Sequence, residues 1–525
     1  MQAKASLTAM GLRALLMTCV LMVPAAAPAD DGAPGWDGDA IARLQQDMKS
    51  GAITSRELVR MYLARIEAID RHGPGINSII ELNPDALAIA QALDAERASK
   101  GPRGPLHGIP VLLKDNIDTA DKMLTTAGSL ALVNSRPSQD AFLVKKLRDA
   151  GAVILGKTNL SEWANFRSTH STSGWSGRGG LTHNPYALDR NSCGSSSGSG
   201  AAIAAGLAVI AVGTETDGSI VCPSAINGIV GIKPTVGLVS RSGIIPISAS
   251  QDTAGPMALS VADAAALLTV IAGADPKDAA SAVATRPAAT DYTQFLKTDG
   301  LRGVRLGLAR SLGGFDARVD GVIDQAVAAL RAQGAEVVEL KDWKTDEKLG
   351  DAELTVLKYE FKSGLNAYLA TRSEGPKTLA DLIAFNNQQS PRELQFFGQE
   401  IFTDSQAKGG LDSREYREAA ANAKRMAGRD GIDAALKKYK LDALISPTVG
   451  LAWLTDLVNG DHYTGGNSST AAAVAGYPHV TVPAGYVQGL PVGVSFIGPA
   501  WSESKLIQYA YAYEQATKVR RPPKL

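Results

Sequence analysis

An α/β layered fold is expected for this chain of 525 residues, and three observations lead to it. Short apolar runs that read as strands alternate with longer stretches of 3.6-residue periodicity that read as helices, the order of an α/β protein. A composition of 45% hydrophobic and 20% charged residues suits a globular chain with a large core. The 53 glycines and 25 prolines supply many turns and backbone-lined corners.

In chain order, Lys4 and Arg13 precede an apolar run over 14–23, closed by Ala27-Pro28-Ala29. A basic start, a short apolar run and small residues before a polar chain make residues 1–29 a secretory signal peptide. The run is shorter than the ~18–20 residues that span a bilayer, and no later stretch is long enough. Residues 30–525 are therefore expected as one large domain, periplasmic or secreted, free of the membrane once the signal is cleaved. Lys+Arg and Asp+Glu balance at 53 each, so no charge bias points to nucleic acid.

The first mature helices are predicted over 39–48 and, opened by the capping box Thr54-Ser-Arg-Glu57, over 55–69. A strand over 76–81 and a helix over 84–100 follow. The strand 111–113 carries Lys114 at the end of its apolar run. A helix over 141–150 leads to a strand over 152–155. Gly151-x-x-x-x-Gly156-Lys157-Thr158 matches the phosphate-loop pattern, but Ala-Val-Ile-Leu between the glycines is strand sequence, not an anion-cradling turn. A Gly-rich polar loop is predicted over 175–186. Small apolar residues over 201–212 read as a buried helix running into a strand. Further strands are expected over 228–239 and 243–247, a helix over 261–273, and an Ala-, Asp- and Pro-rich connection over 274–297. A strand over 304–308, a helix over 319–333 and a strand over 335–340 come next. The segment 343–440 reads as mostly helical and rich in aromatic side chains. Strands over 443–445, 480–482 and 493–497 and a helix over 505–515 close the chain.

The chemistry concentrates between Asn191 and Pro223. Gly and Ser at this density let backbone N–H groups approach a ligand closely. Hydroxyls stand at both ends, Ser195, Ser196, Ser197 and Ser199 at one and Ser219 at the other. Cys193 and Cys222 flank the stretch; buried free thiols are the plainer expectation, and a disulfide would need their Cα atoms within ~7 Å. Gly194-Ser-Ser196-Ser-Gly198 matches the nucleophile elbow, yet that motif needs a buried strand before it, and 186–193 is polar. Its histidine would have to be His462 or His479; His72, His107, His170 and His183 have no motif context. No metal-binding spacing of Cys and His occurs, so neither metal nor cofactor is expected. Taken by itself, Lys114 reads as a lysine that snorkels or pairs with Asp115.

Taken together these elements resemble the amidase signature family. The shared motifs are Gly108-Ile-Pro-Val-x-x-Lys114-Asp-Asn, Gly194-Ser195-Ser196-x-Gly198-Ser199, Gly213-Thr-Glu-Thr-Asp-Gly-Ser219-Ile, Gly231-Ile-Lys-Pro-Thr-Val-Gly237, Asp252-Thr-Ala-Gly-Pro256, Val482-Pro-Ala-Gly485 and Gly489-Leu-Pro-Val-Gly493. They run in family order from about residue 50 to the end; only the helical pocket segment near 343–440 is weakly anchored. The resemblance implies an α/β/α fold with a large mixed β-sheet covered by helices, and a Ser-cisSer-Lys triad. Lys114 matches the general base, Ser195 the bridging serine after a cis peptide bond, and Ser219 the nucleophile. The turn Thr216-Asp217-Gly218 would hold the oxyanion. Where most members have Asp-x-Gly-Gly-Ser-Ile-Arg, this chain has Glu215-Thr-Asp217-Gly-Ser-Ile-Val221-Cys222. With Phe397-Gly-Gln-Glu400, these departures look most like the bacterial peptide amidase branch. The implied activity is hydrolysis of carboxamides, of a small molecule or the C-terminus of a peptide, by a monomer. A broad aliphatic or aryl amidase and membership in an amidotransferase complex are the alternatives.

Overall fold

The computed structural model describes residues 39–282 and 291–525. The signal peptide expected over 1–29 lies outside them, as does the middle of the 274–297 connection. Eleven strands build one mixed sheet: β1 (Ile79–Leu82), β2 (Pro110–Lys114), β3 (Val153–Thr158), β4 (Ile210–Glu215), β5 (Val230–Lys233), β6 (Thr253–Ala258), β7 (Arg305–Leu308), β8 (Glu336–Glu339), β9 (Ala443–Pro447), β10 (His479–Val487) and β11 (Leu490–Ile497). Their spatial order is β1-β3-β2-β4-β6-β5-β10-β11-β9-β7-β8. β3, β2 and β4 are parallel neighbours, the middle of the sheet is antiparallel, and β9, β7 and β8 are parallel again. Helices flank this mixed sheet, as the α/β/α expectation required.

β2, β3 and β4 are buried at every residue. Strands covered on both faces read as continuous apolar runs rather than alternating ones, and that is why Pro-Val-Leu-Leu and Ile-Ala-Val are recognisable. The capping box forms as its spacing predicts: Thr54 Oγ1 accepts from the Glu57 amide, and Glu57 accepts from the Thr54 amide at 2.8 Å. Gly156 and Lys157 lie inside β3, so the phosphate-loop match is strand.

Three expectations are corrected. The loop predicted over 175–186 is instead two small hairpins, pairing Trp175–Ser176 with Gly180–Leu181 and His183–Asn184 with Ala187–Asn191. The predicted strand over 243–247 is absent; Ile244 makes one isolated bridge, to Ile117. β6 covers Thr253 to Pro256 of the Asp252-Thr-Ala-Gly-Pro256 motif and the two residues after it, a stretch for which no strand is expected because it contains Gly255 and Pro256. Pro256 is tolerated there because β5 pairs only with Met257 and Ala258, which leaves the proline paired on one side.

The 343–440 segment is helical as expected, with helices over Leu349–Ala370, Leu379–Gln388, Glu400–Ala407, Arg414–Lys424 and Asp433–Tyr439. Its Phe361, Leu365 and Phe402 pack on Trp163 and Phe166 from the loop after β3. No helix among the described residues is long and apolar enough to cross a membrane.

Candidate active site

Lys114 ends β2 in the middle of the parallel part of the sheet, and its side chain is fully buried. Its Nζ donates to Ser195 Oγ at 2.8 Å, to Thr214 Oγ1 at 2.9 Å and to the Thr214 carbonyl at 3.1 Å. Asn116 Nδ2 donates to the same Thr214 Oγ1 at 2.9 Å. All three partners of Lys114 are neutral, so burial dominates and pushes its ammonium down to about 7, against the opposing charges of Glu215 and Asp252. The isolated reading of Lys114 as a snorkelling or Asp115-paired lysine is therefore corrected: its amine is held inside the protein, against hydroxyls.

The serine cluster separates into distinct roles. Ser195 follows a cis peptide bond from Gly194, and its hydroxyl is the one that meets the lysine. Ser196 Oγ brackets the Thr214 backbone, donating to its carbonyl at 3.0 Å and accepting from its amide at 3.2 Å. Ser197 Oγ donates to the Cys193 carbonyl at 2.6 Å, and Ser199 Oγ lies 2.8 Å from Thr158 Oγ1. These three hydroxyls tie the wholly buried helix Ser197–Ala204 to β3, to β4 and to its own entry. Gly198 permits that close docking, since a Cβ there would stand 2.2 Å from the Ser78 carbonyl oxygen.

Ser219 sits between β4 and the short helix Val221–Ile226, at the edge of the buried region. The Ser196 amide donates to the Ser219 carbonyl at 3.2 Å, which joins the two serine segments directly. Gly218 has φ +76°, a left-handed conformation that suits glycine. The amides of residues 217–219 donate to no protein acceptor among the described residues. Around this turn the side chains are firmly held. Thr216 Oγ1 donates to Asp252 at 2.6 Å, and Asp217 accepts from Ser469 Oγ and, at 2.7 Å, from Thr470 Oγ1. Glu215 accepts from the amides of Ile220 at 2.7 Å and Val221 at 3.0 Å, fixing the chain just after Ser219. Burial raises the Asp217 carboxyl, and burial beside Asp217 raises Glu353 to about 9.

Cys193 and Cys222 are joined in a disulfide, with Cα atoms 6.1 Å apart; the expectation of free thiols is corrected. The bridge spans the site, two residues before Ser195 and three after Ser219. The elbow reading gains nothing: the strand Ala187–Asn191 belongs to a partly exposed hairpin, outside the main sheet. His462 pairs with Asp456 at 3.1 Å, and His479 is buried against Ser495 Oγ at 2.6 Å. No group of His, Cys, Asp and Glu among the described residues could hold a metal ion.

Two contributors escape a reading of the sequence. Thr214 is visible as the first hydroxyl in the apolar run of β4, though its contact with Lys114 is not. Glu353 carries no local signal; it reaches the turn through Gln251, whose Nε2 donates to Glu353 at 2.7 Å and to the Thr216 carbonyl at 3.3 Å.

Comparison with known proteins identifies the family. The family model described as Amidase matches residues 57–507. The structure of native peptide amidase from Stenotrophomonas maltophilia is 56% identical, with a TM-score of 0.88, covering 92% of this chain and 98% of that one. The probable amidase of Arabidopsis thaliana is 43% identical over 482 residues, 90% of this chain and 88% of its own length. The putative amidase of Schizosaccharomyces pombe is 38% identical over 513 residues, 92% of this chain and 86% of its own length. The chain belongs to the amidase signature family, and it is an amidase hydrolase.

Proposed function

We propose that this amidase is a serine hydrolase of C-terminal peptide amides, exported by its signal peptide and acting as a monomer without metal or cofactor. The observation that carries the mechanism is the buried hydrogen bond from Lys114 to Ser195, on a lysine whose pKa falls to about 7. In the neutral form Lys114 accepts the Ser195 proton while Ser195 accepts that of Ser219. The freed Ser219 alkoxide attacks the carboxamide carbon. Amides of the turn Thr216-Asp217-Gly218-Ser219 donate to the oxyanion; that those of 217–219 meet no protein acceptor among the described residues supports this role. Collapse of the intermediate breaks the C–N bond, and the relay returns the proton to the departing ammonia. Water, deprotonated by the same relay, then cleaves the acyl-enzyme to carboxylic acid and free Ser219.

The likeness to a peptide amidase at 56% identity supports the substrate class. Export agrees with the Cys193–Cys222 disulfide, since such bonds persist in oxidising compartments. The test is ammonia release by the chain beginning at residue 30 from a peptide amide, the matching free acid and a simple aliphatic amide. Release from the peptide amide is expected, together with its abolition in Ser219→Ala. Release from the simple amide alone overturns the substrate; retention of most activity in Ser219→Ala overturns the mechanism.

A further inference from the structure

Large apolar side chains exposed to solvent concentrate beside this site. Leu188 is 42% exposed, Leu454 53%, Val458 82% and Tyr463 46%. They come from two segments, the hairpin that ends at Asn191 and the loop 451–466, which are laced together. The Thr455 amide donates to the Asp189 carbonyl at 3.0 Å, the Asn191 amide to the Trp453 carbonyl at 2.8 Å, and Arg190 bridges antiparallel to Leu454.

Two carboxylates hold the loop in shape. Asp456 accepts from the amides of Val458 and Asn459, each at 2.9 Å. Asp461 accepts from Ser173 Oγ at 2.6 Å and from Trp453 Nε1 at 3.1 Å. A loop this firmly held presents its apolar side chains outward at little further ordering cost to a ligand. Beneath the rim, Trp453 meets Tyr463 edge to face at 5.6 Å and packs in one cluster with Cys193.

Both ends of the rim lead to the reacting serines. Cys193 opens the Ser195 segment and is bonded to Cys222 beyond Ser219. Just past the loop, Ser469 and Thr470 donate to Asp217, two residues before Ser219. The Tyr463 hydroxyl donates to the Gly466 carbonyl, three residues before Ser469, while the ring remains half exposed.

We propose that Leu454, Val458 and Tyr463, with Leu188 beside them, form the subsite for apolar side chains of the residues that precede the scissile carboxamide. The inference rests on the peptide-amide reading and deepens it by naming a preference for apolar over polar or side-chain-free sequences. Continuity of the rim with the Ser195 and Ser219 segments favours substrate as its occupant over a second copy of the chain.

The test compares wild type with Leu454→Ser/Val458→Ser on glycyl-leucyl-leucinamide and on triglycinamide, with KM and kcat measured separately. Both substituted side chains are exposed, so the core that folds the chain is untouched. Exposing the apolar area of one or two leucine side chains is expected to raise KM for the leucyl peptide about tenfold, with kcat held and triglycinamide unaffected. If wild type hydrolyses both peptides and the variant changes neither, or both equally, the subsite is overturned while the functional reading stands. If wild type releases ammonia from no peptide amide, the functional reading falls and the subsite with it. A change in sedimentation of the variant with unaltered peptide kinetics assigns the rim to an interface between copies and also overturns the proposal.

Discussion

Lys114 shows how one residue type meets different partners according to its surroundings. Three lysines are fully buried among the described residues: Lys157 donates to the Ile117 carbonyl and to Thr125 Oγ1, each at 2.7 Å, and Lys233 to the Pro234 carbonyl at 3.0 Å. Lys114 alone of the three bonds a serine hydroxyl that neighbours a second serine segment. In the proposed relay only the neutral Lys114 amine can accept a proton, and burial pushes its pKa down to about 7, so activity is expected to fall as pH drops below that value. The expected profile of kcat/KM on a peptide amide loses about tenfold per pH unit on the acid side and levels off above about 7. A profile that is flat between roughly pH 5 and 9 would remove Lys114 from the proton path. From sequence, Lys114, Ser195 and Ser219 can be named only through the family motifs they sit in. Nothing in the apolar run before Lys114 distinguishes a snorkelling lysine from a proposed base, because the difference lies in Thr214, on the strand paired with β2, and in Ser195, at the entry to the helix Ser197–Ala204, both far along the chain.

At the scale of elements, legibility follows burial. β2, β3 and β4 are readable because both faces are covered; the helix Ser197–Ala204 is readable only from 201, where its small buried residues become apolar, and not over the Ser-Gly-Ser-Gly turn that opens it. β6 is not, since Gly255 and Pro256 are turn residues in isolation and are accommodated only by its one-sided pairing. The hairpins over 175–191 are equally hidden: their strands are mostly two residues long and polar, held by tertiary contacts rather than by pattern. The disulfide belongs to this scale as well, because it clamps the Gly194–Ser195 segment to the helix Val221–Ile226 across 29 positions of sequence. A closed loop of that length is worth about 3–4 kcal/mol in the chain-entropy account. Replacing both cysteines with serine is expected to lower unfolding free energy by about that amount, read by urea denaturation. Activity should fall with it, since the bridge holds the two serine segments at a common distance. Denaturation midpoints that coincide for variant and wild type would assign the bridge no structural role.

Across the whole molecule, the least legible part is how the helical segment 343–440 is fixed to the sheet. The fastening is a buried ionic cluster. Arg167 donates to Glu162 at 2.5 Å and to the Glu393 carbonyl, with the Glu393 carboxylate 3.8 Å away, all three side chains excluded from solvent. Glu162 accepts from the Gly177 amide at 2.6 Å, and Glu393 from the Leu130 amide at 2.6 Å. The Phe397 ring lies 4.2 Å from the Arg167 guanidinium, and Glu400 accepts from Ser168 Oγ at 2.7 Å. Residues 393–400 are thus latched onto 162–168, the loop that leaves β3 for the candidate active site. Burial and the Glu393 charge push the Glu162 carboxyl well above its usual range, against the pull of Arg167. Removing the arginine therefore strands two buried carboxyl groups and a carbonyl at once. Breaking a buried pair from one side typically costs about 3–5 kcal/mol, far more than an exposed pair such as Arg414–Glu418 contributes. Arg167→Ala should accordingly lose about 3–5 kcal/mol of stability and become open to protease cleavage within 389–400, whereas Glu418→Ala should match wild type on both counts. Ammonia release should slow in Arg167→Ala although Lys114, Ser195 and Ser219 are untouched, because the latched stretch 162–168 includes Ala164, which lines the same cavity as Asn116, Thr214 and Thr216. Unchanged protease resistance in a folded Arg167→Ala would mean that the aromatic contacts of Phe361 and Phe402 with Trp163 and Phe166 hold the segment without it.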